Sequence, residues 1–81
     1  SSYPNPFNST ANIRYYLPKR TKVKIEIYNL IGNKIKELFN GESEEGYHNV
    51  IWNADNVASG TYICRMTTPE TAKITKLVLI K

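Results

Sequence analysis

Val23, Ile25 and Ile27 alternate with Lys22, Lys24 and Glu26, and this period of two constrains the chain more than any other feature. Strict alternation puts every apolar side chain on one face of an extended strand and every charged one on the other. The same rhythm recurs on both sides of this run. Ala11, Ile13, Tyr15 and Leu17 alternate with Asn12, Arg14 and Tyr16 until Pro18 stops the strand. Further on, His48, Val50 and Trp52 alternate with Tyr47, Asn49 and Ile51. Turn formers punctuate the chain between such runs: Lys19-Arg20-Thr21, Gly32-Asn33 and, before the last run, Pro69-Glu70.

No window holds a helix. Ile35, Leu38 and Phe39 fall at helical spacing, but the few residues between Gly32 and Gly41 are too few to pass the nucleation cost of an independent helix. A short strand over Lys34–Phe39, pairing back on Val23–Tyr28 as a hairpin, is more economical. Asn40-Gly-Glu-Ser-Glu-Glu-Gly46 reads as a surface loop. Tyr3-Pro-Asn-Pro-Phe-Asn8 is a stiff extended lead-in, with Phe7 as the residue it can dock.

The stretch Trp52–Arg65 holds the sole tryptophan and the sole cysteine. A polar bridge, Asn53 to Ser59, separates Trp52 from a strand over Thr61–Thr68, in which Tyr62, Cys64 and Met66 share a face. Trp52 and Tyr62 are the expected inward anchors on either side of that bridge. The last strand, Ala72 to Ile80, places Leu77 and Leu79 on one side and Val78 and Ile80 on the other, so it is either buried on both faces or leaves an apolar stripe exposed. Lysines flank it, and it is a candidate edge strand, whose free backbone groups can pair with another chain. Six to seven short strands without a helix predict an all-β fold, a single immunoglobulin-like antiparallel β-sandwich over residues 1–81.

Composition narrows the function classes. With 41% apolar and 22% charged residues the chain is too apolar for disorder, and 81 residues leave room for one core. Eleven Lys and Arg against seven Asp and Glu give a net charge of +4, spread along the chain as on a solvated surface, so no nucleic-acid partner is expected. A lone cysteine excludes an internal disulfide. No run approaches the ~18 apolar residues of a helical membrane span, and no stretch has the build of a signal peptide. The opening Ser1-Ser-Tyr-Pro, without an initiator Met, is read as the start of the C-terminal piece of a longer protein.

Catalysis finds little raw material. A Cys64–His48 dyad would need a base beside the thiol, but both residues share faces with large apolar neighbours, and a core cysteine with a satisfied strand histidine is the better account. One His and one Cys cannot build a tetrahedral zinc site, and Asp55 with Asn53 and Asn56 is a polar turn lacking the several carboxylates calcium wants. No catalytic residue, metal or cofactor is therefore expected. The alternation turns Tyr16 and Tyr47 outward, and Tyr15 and Tyr62 inward. Two outward tyrosines fall short of a stacking platform for nucleic acid, although exposed aromatics also stack on sugars.

Five motifs in order, Tyr3-Pro-Asn-Pro-Phe-Asn8, Ile27-Tyr-Asn-Leu-Ile-Gly32, Gly46 to Trp52, Ala58-Ser-Gly-Thr-Tyr62 with Arg65, and Lys76-Leu-Val-Leu-Ile-Lys81, span the whole chain. Together they resemble the C-terminal sorting domain (type A) of the type IX secretion system, and are similar to the immunoglobulin-like domain of the flagellar hook-capping protein. The resemblance implies a non-catalytic domain at the end of a secreted bacterial protein, often a hydrolase. Its partners would be the outer-membrane secretion machinery, a sortase-like peptidase that removes it or exchanges it for a surface lipopolysaccharide anchor, and the upstream domains of the parent. The parent would be secreted or held on the cell surface. Carried onto this chain, recognition would fall on Gly60, Tyr62, Arg65, Lys76, Leu77, Val78, Leu79 and Lys81, with Pro4, Asn5 and Pro6 marking the domain boundary. Cys64 stands where the family usually has an apolar or aromatic residue, a departure that leaves recognition undisturbed. The alternative is a structural or carbohydrate-contacting accessory module of an extracellular enzyme, with polysaccharide as partner.

Overall fold

Alternating runs that each own one apolar face must bury those faces against each other, and two stacked sheets are the solution adopted. The computed structural model describes residues 2, 3, 6 and 8–81, with Ser2 and Tyr3 described by backbone alone. Among these residues seven strands follow one another: β1 (Ser2–Tyr3), β2 (Thr10–Leu17), β3 (Thr21–Asn29), β4 (Lys34–Ser43), β5 (Gly46–Asn53), β6 (Gly60–Thr67) and β7 (Ala72–Leu79). They form two antiparallel sheets, ordered β1-β2-β5 and β4-β3-β6-β7, which is the immunoglobulin-like sandwich expected. Pro4, Asn5 and the docking of Phe7 lie outside the described residues.

The core is the set of inward positions named by the alternation. Ala11, Ile13 and Leu17 of β2 and Trp52 of β5 face Val23, Ile25 and Ile27 of β3, Tyr62 and Cys64 of β6, and Leu77 and Leu79 of β7, all buried in one cluster. The two anchors meet edge to face: the Trp52 and Tyr62 rings lie 5.2 Å apart at 71°, the geometry favoured by the ring quadrupoles.

The Asn40–Gly46 surface loop is not formed. β4 runs on to Ser43, and only Glu44 and Glu45 separate it from β5. Polarity here reflects position at a sheet edge, where one side of the strand faces water. Ser43 itself is buried and sits 3.4 Å from the Tyr15 hydroxyl and 3.3 Å from His48 Nε2. The helix-like spacing of Ile35, Leu38 and Phe39 also has a cause. The β3–β4 ladder shifts register twice, pairing Ile25 with Phe39 but Glu26 with Glu37, then Ile27 with Lys36 but Tyr28 with Lys34. Leu38 and Ile35 are the residues skipped. A bulge puts two residues opposite one and re-aims a side chain, so Ile35, Leu38 and Phe39 all pack against the core from one strand.

Glu26 departs from simple alternation. It points outward with its lysine neighbours yet is only 3% exposed, its carboxylate lying 3.5 Å from Lys34 Nζ and 4.0 Å from Lys24 Nζ. The β3–β4 turn is as its dipeptide predicts. Gly32 takes φ 91°, while Asn29 Oδ1 accepts from the amides of Ile31 and Asn33, an Asx arrangement.

Candidate recognition surface: the β6–β7 edge and its corner

The corner begins where β5 ends at Asn53. Ala54 donates its amide to Ser9 O at 2.7 Å, and Val57 donates to Ala54 O at 3.2 Å, while Asn53 Oδ1 accepts from the Asp55 amide at 3.1 Å. The bridge is not purely polar: Ala54 is buried and Val57 packs against the core. Gly60 then opens β6 at φ 156° with nothing near its missing side chain, so glycine is used here for backbone freedom and not for space.

Tyr62 closes the corner. Its ring is in the core and its hydroxyl donates to Ala58 O at 2.6 Å, the bond of a phenol to backbone a few residues upstream that defines the tyrosine corner of sandwich domains. Burying the ring without that bond would leave a polar group unsatisfied. The chain end returns to the same loop. Lys81 donates its amide to Ser59 Oγ at 3.0 Å and its Nζ to Asp55 O at 2.6 Å. Ladder pairs complete the link, with Gly60 opposite Leu79, Thr61 opposite Val78, Tyr62 opposite Leu77 and Arg65 opposite Ile74.

The sequence-predicted recognition residues therefore divide by face. Tyr62, Leu77 and Leu79 are buried at 8%, 0% and 1% exposure, beyond the reach of a partner on the folded surface. Gly60, Arg65, Lys76 and Lys81 are exposed and Val78 is half-buried. Of the boundary motif, Pro6 is exposed, and Pro4 and Asn5 fall outside the described residues. Among the described residues β7 lies at the edge of its sheet, and its outward face is apolar between the lysines, with Ile74 exposed on it and Ile80 exposed just beyond its end. One of the two readings of the last strand thus holds: the leucine face is buried, the other is not.

Cys64 and His48 remain apart in function. Burial pushes the Cys64 thiol up to about 11, away from the thiolate a nucleophile needs. His48 Nε2 lies 2.6 Å from Glu44 O and 3.3 Å from Ser43 Oγ, and its ring stacks on Tyr15 at 5.1 Å. Among the described residues, no group of three or more His, Cys, Asp or Glu is placed to hold a metal ion.

Outward tyrosines Tyr16 and Tyr47 are cross-strand partners in the β2–β5 ladder. Their rings lie 4.9 Å apart at 53°, and the Arg14 guanidinium sits 4.5 Å over the Tyr47 ring, in cation–π range. Sequence reasoning turned both rings outward but did not join them or bring in Arg14. The signal was there in antiparallel pairing, which sets a residue's neighbours diagonally as well as directly opposite. The bonds of Lys81 to the bridge had no sequence signal, because they depend on where β7 ends in space.

Comparison with protein-family models finds a match to the secretion system C-terminal sorting domain over residues 1–81. Comparison with curated proteins returns no match.

Proposed function

The chain belongs to the family of secretion system C-terminal sorting domains, and from that membership we propose how its surface does the sorting. The domain is a type IX secretion sorting signal, and the protein carrying it is secreted or attached to the cell surface. In our reading the secretion machinery contacts the outward side of β6 and β7, through Arg65, Lys76, Val78 and Lys81. Tyr62, Leu77 and Leu79 serve recognition indirectly, by holding β7 in place. Upstream domains of the parent are the cargo. After export, a sortase-like peptidase acts near the domain boundary at Pro4-Asn5-Pro6, releasing the parent or transferring it to a surface anchor.

The observation that carries this reading is the position of β7: among the described residues it is an edge strand, with its leucine face locked in the core and Ile74 and Lys76 exposed on the other face. The test fuses residues 1–81 to a reporter in a host with the secretion system and truncates before Leu77. Export should be lost, and unchanged export would sink the reading. Lys76→Ala with Val78→Ala should reduce export while leaving the fold intact.

A second reading, an accessory module touching polysaccharide, is favoured by the paired Tyr16 and Tyr47 rings beneath Arg14. Tyr16→Ala with Tyr47→Ala should weaken polysaccharide pull-down; retention at the wild-type level would dismiss sugar contact at this face.

A further inference from the structure

Lys22 and Lys24 share the outer face of β3, on either side of the buried Val23. Alternate residues of a strand stand about 7 Å apart, so two like charges are held close together. The ladders set Asn40 of β4 on one side of Lys24 and Thr67 of β6 on the other, with about 5 Å between Cβ atoms of such partners. Thr68 and Pro69 turn off the end of β6 beside them. These residues line a cavity of about 310 Å³, at the small end of the range for ligand pockets.

The chemistry of that lining is one-sided. Lys22 and Lys24 bring ammonium groups, Thr67 and Thr68 hydroxyls and Asn40 an amide, and no carboxylate lines the cavity. Acids at neighbouring positions are engaged elsewhere. Glu26 lies 4.0 Å from Lys24 Nζ and 3.5 Å from Lys34 Nζ, so one carboxylate serves two lysines. Glu42, opposite Lys22 in the ladder, has Arg20 Nε at 3.4 Å. Lys22 makes no ion pair among the described residues. Thr68 is held in place as a donor: its Oγ1 accepts from the Thr71 amide at 3.2 Å, and its own amide donates to Thr71 O at 2.8 Å. The hydroxyl keeps its proton to give to a ligand.

We propose that this cavity binds a phosphate monoester. Donors entering from β3, β4 and the end of β6 surround a centre from several directions, which suits the tetrahedrally placed oxygens of a phosphate better than the two coplanar oxygens of a carboxylate. A monoester carries a charge of about −1.5 to −2 at neutral pH, matched by the two ammonium groups through charge-assisted hydrogen bonds. Thr67, Thr68 and Asn40 take the remaining lone pairs, and the esterified group lies against the Pro69 ring. The bound anion also relieves the repulsion between Lys22 and Lys24. The site uses none of the residues assigned to export.

The test titrates the ¹⁵N-labelled 81-residue chain with glucose 1-phosphate, inorganic phosphate and acetate at matched ionic strength, following the amide signals. Saturable shifts centred on Lys22, Lys24, Asn40, Thr67 and Thr68 are expected with both phosphates and not with acetate. Lys22→Gln, an exposed change that breaks no ion pair, should weaken binding about fivefold, the scale of one exposed charge contact, with an unchanged thermal melt. Thr67→Val keeps the β-branched shape a strand favours and should also weaken it. Lys73→Gln should leave it unaltered, because Lys73 pairs with the core-facing Met66 on the other face of the sheet. Tighter binding of glucose 1-phosphate than of inorganic phosphate supports a small soluble ester as the ligand. Saturation by both, together with Lys22-dependent pelleting on phosphatidylcholine vesicles containing phosphatidic acid, supports a lipid headgroup as the source. Acetate binding as tightly as phosphate, Lys73→Gln costing as much as Lys22→Gln, or pelleting without saturation by either small phosphate would overturn the proposal, since each describes a diffuse cationic surface. Export is not measured, so failure here leaves the sorting reading standing.

Discussion

Alanine substitutions along β7 should show a cost that alternates with position. Leu77 and Leu79 are 0% and 1% exposed, and Val78 between them is half-buried on the outer side. Removing a buried leucine side chain to alanine costs about 2–5 kcal/mol, the transfer of the lost methyl and methylene groups plus the cavity left behind. An edge strand relaxes more readily than a central one, which puts Leu77→Ala and Leu79→Ala near 3 kcal/mol each. Val78→Ala deletes less area from a half-wet site and should cost under about 1 kcal/mol. A domain of 81 residues has roughly 4–12 kcal/mol in total, so each leucine variant still folds but with much of its margin gone. Urea denaturation measures this directly. At a slope near 1 kcal/mol/M, the leucine variants should shift the midpoint by about 3 M and Val78→Ala by less than 1 M. A flat series, or Val78→Ala costing as much as its neighbours, would refute the assignment. The second outcome has a specific meaning, since slipping the register by one residue exchanges the two faces of a strand. The same variants also separate recognition from folding: export of Leu77→Ala should track its folded fraction.

Other residues give equally direct outcomes. Tyr62→Phe keeps the ring against Trp52 but strands Ala58 O, so it should cost about 1 kcal/mol and lower the Tm by roughly 4–8 °C. An unchanged melt would show that the corner bond contributes nothing. Cys64, raised from 9.0 to about 11 by burial, should react with iodoacetamide at pH 8 about 100-fold more slowly than in the urea-unfolded chain, two units of pKa in thiolate fraction. The linkage sign follows: from pH 9 to 11 the unfolded thiol loses its proton while the folded one keeps it, so stability falls as pH rises. The stability lead of the wild type over Cys64→Ala should therefore shrink across that window, and a lead independent of pH would contradict the raised value.

Legibility in the sequence followed the range of the interactions. The inward sets of β2, β3, β6 and β7 were readable because alternation is local, and Trp52 with Tyr62 because a chain with one tryptophan has few places for it. β4 was misread at its far end. Asn40, Glu42 and Ser43 look like loop residues, yet an edge strand tolerates polarity on its free side, and Ser43 is drawn in by Tyr15 and His48, both distant in sequence or on another sheet. The bulges at Ile35 and Leu38 were hidden for a related reason, since register is a property of two strands and cannot be seen in one. Glu26 looked solvated because its lysine neighbours do, and its burial depends on what Lys24 and Lys34 cover. At the recognition surface, motif residues could be named but not divided. Only the paired strands separate Leu77 and Leu79, which build the fold, from Lys76 and Val78, which face outward.

The tie between the last strand and the corner has a consequence in time. Tyr62, Cys64, Leu77 and Leu79, nearly all of the second sheet's core beyond β3, come from the final stretch of the domain to be made or to emerge from a pore. Their partners on β2 and β3 lie tens of residues earlier, and such distant pairings form late because loop closure must precede them. Until Lys81 has cleared, β6 has no outer neighbour and the loop of Asp55 and Ser59 has no second anchor. A surface built this way exists only once the whole domain has been made: a domain cut short before Leu77 carries most of the motifs but lacks the paired strands that display them.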